Sequence, residues 1–183
     1  LYSSGANDSG QLGLNSAVAR STSFVLIGTS QWTSVGAGQS STFATAGDYR
    51  LFTWGNNSYG QLGDGSLAVH RSSPVQITTI AYEEEQTSYV ATLPSPPTYL
   101  SWASVSVNGQ SGAGIQTDGS LWGWGLNTSR QLGTNDAISV SFPVKIGTSS
   151  WSQVVAGFST TLAIRSDGAL FTWGNNSAGQ LGN

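Results

Sequence analysis

The chain repeats itself. Leu1-Tyr2-Ser3-Ser4-Gly5, Leu51-Phe52-Thr53-Trp54-Gly55, Leu121-Trp122-Gly123-Trp124-Gly125 and Leu170-Phe171-Thr172-Trp173-Gly174 each lead to a Gln-Leu-Gly triplet, and the triplets begin at 11, 61, 131 and 180. The spacings are therefore 50, 70 and 49 residues. Trp32, Trp102 and Trp151 keep the same phase, and so do Gly47-Asp48, Asp118-Gly119 and Asp167-Gly168. A period of this size marks stacked supersecondary units, each unable to bury its apolar face alone.

The long spacing has one cause. Pro74 and Trp102 stand 28 residues apart but Pro143 and Trp151 only 8, so about twenty residues are inserted near 80–99. The units then run over about 1–31, 32–77, 102–150 and 151–183, with 78–101 as the insertion. It carries all three glutamates and three of the five prolines.

Within a unit the pattern is that of short strands. Trp151-Ser152-Gln153-Val154-Val155-Ala156, Thr160-Thr161-Leu162-Ala163-Ile164 and Leu170-Phe171-Thr172-Trp173 are separated by Gly, Ser and Asp clusters, and Pro143-Val144-Lys145-Ile146 forms a last run in the preceding unit. Asp-Gly suits a tight hairpin turn. No 3.6-residue periodicity survives ten residues, so helix content is expected to be low. The strands are apolar on both faces, as a sheet wedged between two neighbours requires.

Composition removes several function classes. Only 8% of residues are charged, 6 Lys and Arg against 9 Asp and Glu, which does not suit capture of nucleic acid or an anionic membrane. The absence of Cys excludes a disulfide framework and a thiol nucleophile. No apolar run is long enough for a transmembrane helix. The chain starts at Leu1 without a charged-then-apolar leader, the expectation being a processed chain or an internal piece of a longer one.

The Val-x-Ala-Gly inner strand, Asp-Gly turn, Leu-Phe-Thr-Trp-Gly-x-Asn strand and Gly-Gln-Leu-Gly ending together resemble the regulator of chromosome condensation (RCC1) repeat, over nearly the whole chain outside 80–99. The resemblance implies an all-β propeller of four-stranded blades, usually seven in a ring of roughly 350 residues. About three and a half blades are present, so an incomplete ring closed by further chain or by other subunits is expected.

Candidate residues divide by what they can do. Trp54, Trp124 and Trp173 are expected to pack the blades, with Trp32, Trp102 and Trp151 at inner-strand entries. Gly63, Gly133 and Gly182 are expected to permit a tight bend and close backbone approach. Ser4 stands where the other units have Trp. Asp48, Asp118 and Asp167 each lie in a turn without a second carboxylate nearby, which does not make a calcium loop, and no metal or cofactor is expected. His70, the sole histidine, reads as a loop residue with no nucleophile motif around it. Asn7, Asn56, Asn127 and Asn175 each head an Asn-x-Ser/Thr sequon, read as recurring at one repeat position, so a glycan is possible in a secretory route.

The candidate partner-binding segment is the insertion, through Tyr82, Glu83, Glu84, Glu85, Tyr89 and Tyr99. Its aromatic side chains stand on a Pro-stiffened backbone, although a mere spacer fits the same residues. The expected function is a non-catalytic module for protein–protein interaction or structural assembly, with a protein partner or other copies, at an extracellular or virion surface. Absence of Cys and Met and a sparsely charged Ser/Thr/Gly-rich surface support that location. The alternatives are nucleotide exchange on a small GTPase, which the family resemblance implies, a secreted enzyme-inhibitor propeller, and a carbohydrate-binding module.

Overall fold

The structure is a computed structural model and describes residues 1–16, 19–28, 30–78 and 101–182. All regular structure among them is β. Strands β1 (Tyr2–Ala6) and β2 (Arg20–Leu26) form a two-stranded sheet. Four strands, β3 (Trp32–Ala37), β4 (Ser41–Ala46), β5 (Leu51–Gly55) and β6 (Arg71–Gln76), make the second sheet in sequence order. The third sheet repeats that order with β7 (Trp102–Asn108), β8 (Ser111–Gln116), β9 (Leu121–Gly125) and β10 (Val140–Lys145). The last contains β11 (Trp151–Ala156), β12 (Thr160–Arg165) and β13 (Leu170–Gly174).

All pairings are antiparallel, as short hairpin links allow. The first hairpin of each larger sheet shifts register at one equivalent point, between Trp32 and Ser34, Trp102 and Ser104, and Trp151 and Gln153. Pro74 and Pro143 sit in β6 and β10, the outermost strands of their sheets, where proline is tolerated because one side of the strand has no ladder partner. The sheets are the expected four-stranded antiparallel blades of an incomplete ring, although among the described residues the first contributes two strands and the last three.

The core lies between sheets. Phe43, Leu51, Leu62 and Ile77 of the second sheet's unit meet Trp102, Val107 and Trp124 of the third. Ala113, Ile115, Leu121 and Ile146 meet Val154 and Ala163 of the last sheet. Ile27, Ala44 and Trp54 close the first seam. Alternation along β5 sends Trp54 toward the preceding sheet and Leu51 toward the following one, so both faces are apolar.

Candidate functional site

The long loop between third and fourth strands is built on one asparagine. Asn57 is fully buried; its Oδ1 accepts from the Leu62 amide at 3.0 Å, and its Nδ2 donates to Asp64 Oδ1, the Ser66 carbonyl and Ser66 Oγ. Asn127 does the same for the Leu132 amide, Thr134 Oγ1 and Asp136. Asn7 and Asn176 accept from the Leu12 and Leu181 amides. The repeat position is therefore 7, 57, 127 and 176. This corrects the sequon register: Asn56 and Asn175 stand one residue earlier, and Asn127, fully buried with both amide atoms bonded, has no side chain to offer a glycan in the folded state.

His70 belongs to this loop, where its Nδ1 accepts the Asn57 amide at 3.0 Å; Ser139 Oγ takes that role toward Asn127. The Asp64 side chain is buried beside them. Burial raises its carboxyl pKa, but the Ser66 hydroxyl and amide and the Arg71 guanidinium together hold it below the ordinary value.

A clasp joins consecutive blades. Trp54 Nε1 donates to the Gln11 carbonyl, Trp124 Nε1 to Gln61 and Trp173 Nε1 to Gln131, each at 2.9 Å. Gly13, Gly63 and Gly133 lie so close to these indoles that a Cβ would stand 2.8, 3.0 and 2.9 Å from the ring atoms of Trp54, Trp124 and Trp173. Gly182 ends the same triplet but has open space around it. The entry tryptophans meet the clasp tryptophans within each unit: Trp32–Trp54, Trp102–Trp124 and Trp151–Trp173 have centroids 6.0, 5.4 and 6.1 Å apart. Ser4, exposed on β1, offers no indole for this contact.

Gln side chains brace the loop through the residue before the buried asparagine. Gln61 Nε2 donates to Asn56 Oδ1 at 2.8 Å, and Gln180 Nε2 to Asn175 Oδ1 at 3.1 Å. Leu126 stands at that place in the third unit, and the buried Gln131 Nε2 has no acceptor. An unsatisfied buried donor costs about 1–3 kcal/mol. Leu126→Asn is therefore expected to raise unfolding stability by about 1 kcal/mol, after the loss of half-buried leucine surface. Urea unfolding checks this, and a lower midpoint would mean that Leu126 packing outweighs the new bond.

At the opposite sheet end the aspartates are spent on turns. Asp48 pairs with Arg50, whose guanidinium lies over Phe52; Asp167 pairs with Arg165, which lies over Phe171. The Arg165 hydrogen bonds, with the Ala169 amide, hold Asp167 down to about 2. Asp118 accepts instead from Ser120, whose hydroxyl also receives Trp122 Nε1. The turn's left-handed residue is Gly119 or Gly168 in two units, but Tyr49, at φ 64°, in the other, so the Gly47-Asp48 pair is not the tight-turn dipeptide. No group of three metal-ligating side chains occurs among the described residues.

The repeat itself matches known sequences. Residues 48–84 and 118–164 match a family model of the Regulator of chromosome condensation (RCC1) repeat, and 151–180 match a second model of the same repeat. The chain belongs to the RCC1 repeat family. Among curated relatives, Regulator of chromosome condensation of Xenopus laevis is 30% identical over 115 residues, 63% of this chain and 23% of that protein. Probable E3 ubiquitin-protein ligase HERC3 of Homo sapiens is 29% identical over 102 residues, 56% of this chain and 8% of that one. The RCC1-repeat chain thus spans less than a quarter of either. The solved structure of Prp20p from Saccharomyces cerevisiae is similar in fold, with a TM-score of 0.77 at 18% identity over 99% of this chain and 42% of that one. Human WBSCR16 has a TM-score of 0.73 at 21% identity over 94% and 42%.

The RCC1-repeat chain exposes apolar side chains on two kinds of surface. One is the outer face of the last sheet, with Val155, Leu162 and Leu170, and its counterpart on the first, with Tyr2, Phe24 and Leu26. The other lies at the second seam, where Leu67 touches Gly60 near exposed Tyr59, and Gly60 abuts β10 beside Phe142. Nothing in the motifs marks this patch, because its residues are the ones that differ between units. Tyr82, Glu83, Glu84, Glu85, Tyr89 and Tyr99 lie outside the described residues; the segment leaves after Ile77, whose amide donates to the Leu51 carbonyl, and rejoins at Trp102, whose amide donates to the Tyr49 carbonyl.

Proposed function

We propose that this chain is a non-catalytic RCC1-type module whose work is protein–protein contact or structural assembly, with further blades or other copies as partners, at an extracellular or virion surface. The observation that carries it is a contrast at one repeat position. Leu51 and Leu121 are 0% exposed because the next sheet covers them, whereas Leu170 is 63% exposed. Leu170 shares its face with Leu162 and Val155, so this is a seam-forming face open to a protein neighbour. The loop asparagines, Asp64 and the turn carboxylates are engaged in holding the fold, and apolar side chains make up the open face of the last sheet. A protein similar in fold, yeast RCC1 (Prp20), has been solved with Kap60 bound to it. The sparse charge and the absence of Cys and Met support the surface location.

Sedimentation velocity over a concentration series tests the role of other copies. The unmodified chain is expected to gain mass with concentration, and Leu162→Ser with Leu170→Ser to remain monomeric while keeping its unfolding midpoint, since both side chains are already exposed. A chain that stays monomeric throughout rejects self-assembly and leaves a different protein as partner.

A further inference from the structure

The turns β4–β5, β8–β9 and β12–β13 are built alike. The amides of Tyr49, Gly119 and Gly168 donate to the carbonyls of Ala46, Gln116 and Arg165, which aligns Asp48, Asp118 and Asp167. Four residues after each aspartate comes an aromatic ring, Phe52, Trp122 or Phe171, and the ladders place these opposite Ala44, Gly114 and Ala163. In two units an arginine joins the pair. The Arg50 guanidinium, from two residues after Asp48, lies 5.4 Å from the Phe52 centroid; that of Arg165, from two residues before Asp167, lies 5.0 Å from the Phe171 centroid. Each is ion-paired with its aspartate. The arginines come from opposite ends of the turn, so the carboxylate and the ring hold the cation whichever strand supplies it.

The third unit keeps the carboxylate and the ring but has neither arginine. Gln116 stands at the Arg165 position and Ser120 at the Arg50 position. Asp118 is exposed; its Oδ1 accepts the Ser120 hydroxyl and amide, and no hydrogen bond reaches Oδ2 among the described residues. The Ser120 bonds, with the charge of Lys145, hold its carboxyl below the ordinary value, so it is an anion at neutral pH. Trp122 is half-buried, its Nε1 donates to Ser120 Oγ at 2.8 Å, and no cation stands over its ring among the described residues. No guanidinium of this chain is free to fill the place. Arg50, Arg71 and Arg165 are paired with their own aspartates, Arg20 and Arg130 stand at the other end of the sheets, and residues 78–101 contain neither Lys nor Arg. Lys145 lies across the ladder from Trp122 but forms no ion pair with Asp118 among the described residues, which leaves Oδ2 without a donor.

We propose that Asp118 and Trp122 bind an arginine side chain of a partner protein, in the place that Arg50 and Arg165 take in the other two units. A planar guanidinium suits both halves of the pair, since it stacks on an aromatic face while donating charge-assisted hydrogen bonds to a carboxylate. Indole attracts a cation more strongly than the phenyl rings of the sister units do. A lysine ammonium is more strongly hydrated and has no flat face to stack, so it is the weaker ligand. The proposal rests on the reading of the chain as a module for protein contact. It concerns the third sheet alone, so its failure would leave the sedimentation result untouched.

Three capped tripeptides test it: acetyl-Gly-Arg-Gly-amide, the same peptide with lysine, and the same with citrulline, which keeps the shape of arginine without its charge. The NMR shifts of the Trp122 indole N–H and the Ser120 amide are the readout. The arginine peptide is expected to give a saturating shift, about tenfold tighter than either other peptide and weakened by salt. Asp118→Asn, which keeps an oxygen for the Ser120 bonds, is expected to lose that preference. Ser120→Arg, which supplies from within the chain the arginine of the Arg50 position, is expected to abolish binding. Unfolding midpoints verify that both variants fold, and the comparison of peptides on the unmodified chain needs no variant. No saturating shift with the arginine peptide, a response matched by either other peptide, or a preference that survives Asp118→Asn or Ser120→Arg would overturn the proposal.

Discussion

Gly125→Ala is expected to destabilise the chain by about 2–5 kcal/mol, and Gly168→Ala by about 1 kcal/mol. Both glycines have nearly the same backbone angle, φ 93° and 90°, so the strain of giving an L-residue a positive φ is common to the two. They differ in what a methyl group would meet. At Gly125 it would lie 2.5 Å from the Gln110 carbonyl oxygen, 2.9 Å from Ser111 Cα and 3.2 Å from Gln61 Cα; at Gly168 it would meet nothing within 4 Å. The obstructing carbonyl cannot swing aside, because it accepts the Leu126 amide at 2.9 Å. Gly55 and Gly174 are crowded in the same way by the Ser40 and Ser159 carbonyls. Urea unfolding of the two variants measures the difference directly, and equal losses would mean that strain alone explains the glycine of the Trp-Gly pair.

This contrast shows what is readable from a single chain. The phase of Trp32, Trp102 and Trp151 against Trp54, Trp124 and Trp173 was legible because a stacked unit must repeat the residues that fill its seams. So was the all-β character, which follows from short runs between turn residues. The hydrogen-bond partners were not legible. Trp124 Nε1 donates to a backbone carbonyl 63 residues away, and every residue has a carbonyl, so composition cannot single out Gln61. The Asn56-Asn57 doublet concealed which asparagine is structural, because the sequon starts at the first of the two; the spacings of 50, 70 and 49 residues point to the second, and its buried hydrogen bonds agree. Tyr49 and Arg130 escaped for a further reason. Each occupies a positive-φ place held by glycine in sister units, and that place becomes visible only once the backbone is known.

Trp124→Ala is expected to cost about 4–5 kcal/mol and Trp54→Ala about 3 kcal/mol, although both side chains are 0% exposed. Each substitution leaves a cavity of similar size at a seam. The difference lies in the carbonyl left behind. Gln11 O keeps a second donor, Thr42 Oγ1 at 2.9 Å, as Gln131 O keeps Thr161 Oγ1 at 2.8 Å. The second seam has Gly112 at the corresponding place, so the Gln61 carbonyl loses the one side-chain donor it has among the described residues. With the indole where it lies at this seam, a Cβ on Gly112 would stand 2.6 Å from Trp124 Cε2, so threonine there requires the ring to shift. Removing the indole reverses that objection. Gly112→Thr is thus expected to destabilise the unmodified chain but to recover about 1 kcal/mol or more in the Trp124→Ala background, by filling part of the cavity and donating to Gln61. A double-mutant cycle from urea unfolding measures the coupling; an additive result would mean that the carbonyl is satisfied by water and that the clasp contributes packing alone.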